Sequence, residues 1–419
     1  MSKQHTVALL CTLDTKGEHA AFVASEVEKH GCVAKIIDIG VLGTDGSLAS
    51  ITRAQVALSG GTSIDDLKRQ NDRGAALKTM AQGAREVLLN LYKRELIAGA
   101  IGIGGGSGTA VACAAMRALP LGFPKVMIST MAGTEKSPEY VGSSDIIMVN
   151  SITDIVGVNF VLRRALVSGA AIACALLASN PATSSQQDLS AQKLAITSFG
   201  VTTRAATWLY EKLVATGNQC LVFHANGAGG RTMEQLIDAG QIDAVLDLTI
   251  TELADELCGG LLSAGPDRLT ATGRRGLPQV VLPGAIDMVN FGGPDTVPAR
   301  FSQRRLYAHS PNTTLMRTNS EENAVLGRWV AERLSASQGP TALILPMRGF
   351  SEYGRPGGVF ESPDSDAAFI DALERDISPA VRVEKIDANI NDDPCIELAL
   401  KSMLKLLQQS SPNIGYSDG

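Results

Sequence analysis

The chain alternates short apolar runs with longer stretches in which apolar residues return every three or four positions. The first runs are TVALLC (6–11), VAKIIDI (33–39), AIGIG (100–104), KVMIS (125–129) and IIMV (146–149). A second series follows with KLAITSF (193–199), QCLVF (219–223), DAVLDL (243–248), LPQVVL (277–282), TALIL (341–345) and a last run over 381–386. Runs that are apolar at nearly every position, rather than at every second one, suit strands buried on both faces of a parallel sheet. The segments between them predict helices ending near His30 and Glu95, starting from Val111, over 151–178 and over 203–215, from Met233, from Ser320 and over 394–407. Strand–helix alternation of this kind predicts an α/β fold in two domains, with mainly parallel sheets flanked by helices. The polar, aperiodic stretch SNPATSSQQDLSAQ divides the two series. The expected organisation is a first α/β domain over 1–182, a linker over 183–192 and a second α/β domain over 193–419.

Composition changes this picture in three ways. Hydrophobic residues are 45% of the 419 and aromatics only 4%, so the cores are built from Ala, Val, Ile and Leu. A net charge of −6 gives no global attraction to nucleic acid or to an anionic membrane. The seven cysteines are scattered and never in CxxC spacing, which suits reduced thiols in a cytoplasmic protein. The longest uncharged apolar stretch, 165–178, is shorter than the roughly 20 residues that span a bilayer, and is expected as a buried helix.

Candidate chemistry gathers where strands end. AGAIGIGGGSGT (98–109) runs from an apolar strand into Gly104, Gly105, Gly106, Ser107, Gly108 and Thr109, and then into a small-residue helix. Glycines let backbone amides approach an anion, and the helix start adds partial positive charge, so a phosphate-binding loop is expected. A tight turn needed only for helix–strand packing is the alternative. The loop is neither a Walker A motif nor a strict GxGxxG. After the first strand come Asp14, Thr15 and Lys16, with Thr15 and Glu18 spaced as a capping box; Lys16 can meet a phosphate and Asp14 a Mg²⁺ or a hydroxyl. Residues 40–64 are expected as a long loop. Arg69 and Arg73 are expected on one helical face, as phosphate clamps or as ordinary solvated charge. Thr130, Ala132 and Gly133 follow another strand. Loops after parallel strands lie on one sheet edge and can converge on one crevice.

The second series ends its strands with His224 and Asn226 before a further glycine loop, then Glu252, Asp287, Asn290, His309, Arg317 and Arg348. His224 is expected as acid or base, Arg317 and Arg348 as carboxylate holders, and Glu252 or Asp287 as an orienting partner. A structural histidine is the alternative at 224. No metal-ligand spacing such as HExxH or a cysteine–histidine zinc pattern occurs.

Many separated segments carry a family resemblance. They include TLDTKGE (12–18), Arg73-Gly74, AIGIGGGSGT (100–109), PKVMIST (124–130), FGVTT (199–203), LVFHANGAGGRTME (221–234), GAIDMVNFG (284–292) and LMRT (315–318). Through these the chain resembles the two-domain ATP-binding family that includes the N-terminal inhibitory region of the tomato mosaic virus resistance protein. The resemblance implies two Rossmann-like domains, ATP bound with Mg²⁺ in the first, and a homodimer, with no reaction assigned. Ser107 stands one position later than in the family's glycine loop, and Ala132-Gly133-Thr134 replaces its Ala-Ser-Gly. The expected function is a cytoplasmic nucleotide-binding enzyme acting on a small molecule near His224. The alternative is a nucleotide-gated protein that binds a protein partner. A nicotinamide oxidoreductase ranks below both.

Overall fold

The computed structural model describes residues 4–43, 48–179 and 191–410, so positions 183–190 of the expected linker lie outside the described residues. The chain divides into two compact units, Met1–Gln187 and Asp188–Gly419.

The N-terminal unit runs β1 (Thr6–Cys11), α1 (Leu13–Lys29), β2 (Val33–Asp38), α2 (Arg53–Ser59), α3 (Ile64–Gln70), α4 (Arg73–Lys93), β3 (Gly99–Gly104), α5 (Gly106–Met116), β4 (Lys125–Ser129), α6 (Ser137–Val141), β5 (Ile147–Asn150) and α7 (Phe160–Ser179). Its five strands pair in parallel in the order β2-β1-β3-β4-β5. Period two still operates within the all-apolar strands. Val7, Leu9, Cys11, Ile101, Ile103, Val126 and Ile128 face the layer formed with α1 and α7. Ala8, Leu10, Ala100 and Met127 face the opposite layer with α4 and α5. Helix α7 is long and apolar enough by composition to cross a membrane. In this fold, however, Leu162, Leu166, Ala170 and Ala173 on it are fully buried, and a Cβ at Gly169 would lie 2.4 Å from Ile128 Cδ1.

The C-terminal unit runs β6 (Lys193–Ser198), α8 (Thr203–Ala215), β7 (Gln219–His224), α9 (Ala228–Asp238), β8 (Ala244–Thr249), α10 (Thr251–Cys258), α11 (Ala271–Arg274), β9 (Gln279–Gly284), β10 (Met288–Phe291), β11 (Leu306–Ser310), β12 (Thr313–Arg317), α12 (Ser320–Ser335), β13 (Thr341–Pro346), α13 (Pro363–Asp376), β14 (Arg382–Ile386) and α14 (Asp393–Ser410). Six strands form a parallel sheet in the order β14-β13-β9-β8-β6-β7. Read from β7, that order matches the first sheet with one strand added. Both units are therefore doubly wound. In each the chain reverses its direction of travel across the sheet beside the first strand, between β1 and β3 and between β6 and β8. Ligand crevices of such sheets lie at the carboxyl ends beside that reversal.

The structure corrects several expected elements. Residues 40–64 are not one loop: α2 lies there, started by a capping box between Thr52 and Gln55. Arg69 and Arg73 do not share a helix, because Asn71 adopts φ +48° and Asp72 caps a new one. The Thr15–Glu18 capping box is absent, since helical backbone already begins at Leu13 and breaks at Lys16. The helix expected over 151–178 starts only at Phe160, where the Asn159 carboxamide accepts from the amides of Val161 and Leu162. Helix α9 starts at Ala228 rather than Met233, directly after Gly227 turns the chain with φ +83°. The antiparallel sheet β10-β12-β11 was not expected, its strands being four or five residues long with polar positions inside.

Candidate functional site

In the N-terminal unit the sheet edge is built around the start of α5. Gly104 ends β3, and a Cβ there would lie 2.7 Å from the Gly108 carbonyl carbon, so only glycine lets the strand meet the helix so closely. Thr109 is fully buried, its hydroxyl bonded to the Gly104 carbonyl at 3.2 Å and to Ser129 Oγ at 2.6 Å. Gly108 is buried as well. These three residues hold the loop's shape. Gly105, Gly106 and Ser107 are the part that faces out, and no side chain caps the helix there. The first amides of an α-helix have no partner within it, so this end presents donors and partial positive charge.

Other elements bring groups to the same end. Arg73, first residue of α4, is exposed and donates from Nη2 to Ser107 Oγ at 2.9 Å. A Cβ at Gly105 would lie 3.7 Å from Thr130 Oγ1, which places Thr130 beside the loop. Thr12, which the sequence did not single out as a ligand group, faces Gly108. Gly133 is exposed and packs on the Asn150 carboxamide; Ala132 is half-buried. Asp14 is exposed but turned toward the end of β2, accepting from the Leu42 amide at 3.2 Å and the Thr15 hydroxyl at 3.3 Å. Lys16 sits at the helix break. Among the described residues no group of three or more His, Cys, Asp or Glu side chains is arranged to hold a metal.

Asp38 closes β2, where dinucleotide-binding folds place an acid for a ribose hydroxyl. Here its carboxylate is buried and committed. It accepts from the amides of Leu13 and Gly40 and pairs with Arg53 at 2.7 Å.

The C-terminal glycine loop has the same strand–turn–helix plan but its donors are filled. Glu252 Oε1 accepts from the amides of Gly227 and Gly230 at 2.7 and 3.1 Å, while Oε2 binds Arg268 Nε at 2.6 Å. A protein carboxylate thus occupies the place a phosphate would take. Arg268 is fully buried and also pairs with Asp247 and Glu234. Its guanidinium is held well above its ordinary range by these carboxylates despite burial.

The expected catalytic set does not assemble. His224 is exposed at the end of edge strand β7, its ring stacked on Phe199 at 5.3 Å. Arg348 follows β13, four strands away, a separation of about 19 Å at roughly 4.8 Å per strand. It is exposed and paired with Asp387 at 2.7 Å. Glu252 is buried in the network just described. Arg317 is buried, donating to the Phe360 carbonyl, the Thr318 hydroxyl and the Asp366 carboxylate. Asp287 is fully buried and accepts from Ser351 Oγ at 2.6 Å; burial pushes its carboxyl up, against the pull of Arg317. Asp366, also raised by burial, reaches about 7. Glu252, Arg317 and Asp287 are thus spent on buried contacts within the protein. His224 and His309 are among the exposed groups of this unit, with the half-buried rings of Phe199, Tyr307 and Tyr353. The sequence reading missed all three rings, although in a chain with 4% aromatics their gathering is informative.

Comparison with known proteins agrees with the two-unit division. Residues 5–182 match the N-terminal domain, and residues 191–407 the C-terminal domain, of the uncharacterised protein family UPF0261. A UPF0261 protein of Clostridium tetani is 42% identical over 406 residues, covering 96% of this chain and 99% of that one. A UPF0261 protein of Rhizobium meliloti is 43% identical over 391 residues, covering 93% and 96%. The ToMV resistance protein Tm-1 of Solanum lycopersicum is 34% identical over 342 residues, covering 81% of this chain and 45% of that longer protein. Two successive domain matches over the same elements that build the two sheets make the chain a member of the uncharacterised protein family UPF0261.

Proposed function

We propose that the N-terminal unit binds ATP by its phosphates at the start of α5, and that the C-terminal unit acts on a small molecule near His224. The observation that carries the first half is the Arg73–Ser107 hydrogen bond at an uncapped helix start beside the sheet's reversal point. A guanidinium has five N–H donors, and most of those on Arg73 remain for a phosphate once Ser107 is bound. Thr130 and Lys16 add a hydroxyl and a second cation. Asp14, on turning from the Leu42 amide it now accepts from, is the residue that would hold Mg²⁺, which keeps most of its waters and needs few protein oxygens. Mg²⁺ there would neutralise phosphate charge. The buried Asp38–Arg53 pair speaks against a nicotinamide dinucleotide, because the acid a ribose would need is already taken.

The catalytic half rests on His224, an exposed imidazole at a strand end with a ring partner that fixes its plane. The proposal includes a homodimer in the cytoplasm, in keeping with seven free cysteines. A second reading, a nucleotide-gated regulator that binds a protein, takes its support from the tomato relative's name as a resistance protein. Calorimetric titration with ATP–Mg²⁺, followed by a metabolite panel with and without ATP, tests both. Saturable ATP binding with turnover lost in His224→Ala is expected. Binding without any turnover selects the regulator, and no ATP binding overturns the proposal.

A further inference from the structure

The C-terminal unit carries a second set of polar groups at the edge that holds His224. Tyr353 Oη lies 2.9 Å from His309 Nδ1. The rings of Tyr307 and Tyr353 pack at 5.1 Å, and Phe199, the stacking partner of His224, belongs to the same cluster. His309 falls where the β11–β12 register shifts between Ala308 and Ser310, leaving it outside the ladder. Bulges of this kind re-aim a side chain and are over-represented beside active sites.

The loop bearing Tyr353 is held firmly. The Asn389 carboxamide donates to the carbonyls of Arg348, Gly349 and Ser351. Ser351 Oγ bridges the buried Asp287 and the Gly354 amide. The Glu352 amide reaches the Val201 carbonyl, tying the loop to the turn after β6 beside the sheet's reversal point. These bonds fix the backbone on both sides of Tyr353.

We propose that Tyr307, Tyr353 and His309 form a ligand-contacting cluster in the C-terminal unit that takes a small planar carboxylate. The proposal rests on the reading that this unit holds the substrate, and it names the substrate's class. With His309 Nδ1–H donating to Tyr353 Oη, the two phenol hydrogens are left for carboxylate oxygens, and the faces of Phe199 and Tyr307 supply flat apolar walls. A phenol keeps its proton at neutral pH, and burial shifts Tyr353 further in that direction. Nearby acids are already engaged, Glu352 by Arg355 and Glu361 by the Gly357 amide.

The test is a titration of the full chain, labelled with ¹³C-histidine, with benzoate and with fumarate. The His309 ring resonances are expected to shift saturably while those of His5 and His30 stay still. Tyr353→Phe is expected to weaken binding about tenfold, the order of one hydrogen bond to a charged group, with its melting temperature unchanged. His309→Gln serves as the second variant should Tyr353→Phe fold poorly. An unmoved His309 in folded protein, or wild-type affinity in either variant, overturns the cluster. Movement of His224 alone overturns it while sparing the substrate reading, and an ATP–Mg²⁺ thermal shift on the same samples reports separately on the N-terminal half.

Discussion

Arg73 Nη2 donates to Ser107 Oγ at 2.9 Å, joining the first residue of α4 to the first turn of α5 across 34 positions of sequence. The bond places a mobile cation at a helix start that has no cap of its own. Replacing Arg73 by Ala should weaken ATP–Mg²⁺ binding by about 10–100-fold, the range for losing hydrogen bonds to a charged group. The melting temperature should stay unchanged, because Arg73 is exposed. Calorimetry checks the first and differential scanning fluorimetry the second. Unchanged affinity would remove Arg73 from the phosphate site.

Adjacent glycines in the same loop should respond differently to a methyl group. At Gly104 a Cβ would lie within 2.8 Å of the Gly108 Cα and the Thr109 amide, all backbone. Gly104→Ala should therefore cost about 1–3 kcal/mol as an overpacking change. At Gly105 the nearest atom is Thr130 Oγ1 at 3.7 Å and φ is −78°, so Gly105→Ala should leave stability nearly unchanged. Urea denaturation of the two variants measures the contrast.

Glu252 and Arg348 were expected to share one site, yet they should separate sharply in stability assays. Glu252→Ala leaves the fully buried Arg268 short of a partner and uncaps two amides of the 227–230 turn. Removing one member of such a buried pair costs about 3–5 kcal/mol. Arg348→Ala removes an exposed pair with Asp387 and should leave the denaturation midpoint where it was. If Glu252→Ala proves as stable as the parent, the buried network is not what holds α9 in place.

Asp255 makes stability depend on pH. Burial raises its carboxyl from 3.8 to about 7, against hydrogen bonds from Asn290 and the Leu262 amide. The native chain therefore holds a proton that the unfolded chain has lost between those two values. Stability from this group falls as pH rises through that window, and is unaffected below 3.8, where both states are protonated. Each tenfold difference in proton affinity between the two states is worth roughly 1.4 kcal/mol, so the effect is of order a few kcal/mol. Asp255→Asn should flatten the slope relative to the parent when urea midpoints are followed from about pH 4 to 7.5, the span over which the two states differ in bound protons. Parallel slopes in parent and variant would assign the pH dependence to other groups.

Legibility differed from one part of the chain to another for identifiable reasons. The buried parallel strands announced themselves because both faces are covered, so no polar position interrupts them. Helix α8 was read to its end residues, since its amphipathic face is continuous. Strands β10, β11 and β12 did not show, because short strands of a partly exposed antiparallel sheet carry polar residues such as Asn290, His309 and Thr313. Arg73 was readable as a cation, but not as a neighbour of Ser107. Arg268 and Tyr353 gave no motif at all, since their roles depend on partners 16 to 44 positions away.

What the sequence determined by itself is the alternating α/β architecture and the strand–glycine–helix turns, because hydrophobic periodicity and glycine's backbone freedom are local properties. Tertiary structure decided which turn is open. The two glycine loops look alike in sequence, yet one meets Arg73 with its helix start uncapped and the other is closed by Glu252. A carboxylate that caps a helix and a phosphate ligand compete for the same amides, and only the folded arrangement settles which loop has already been filled.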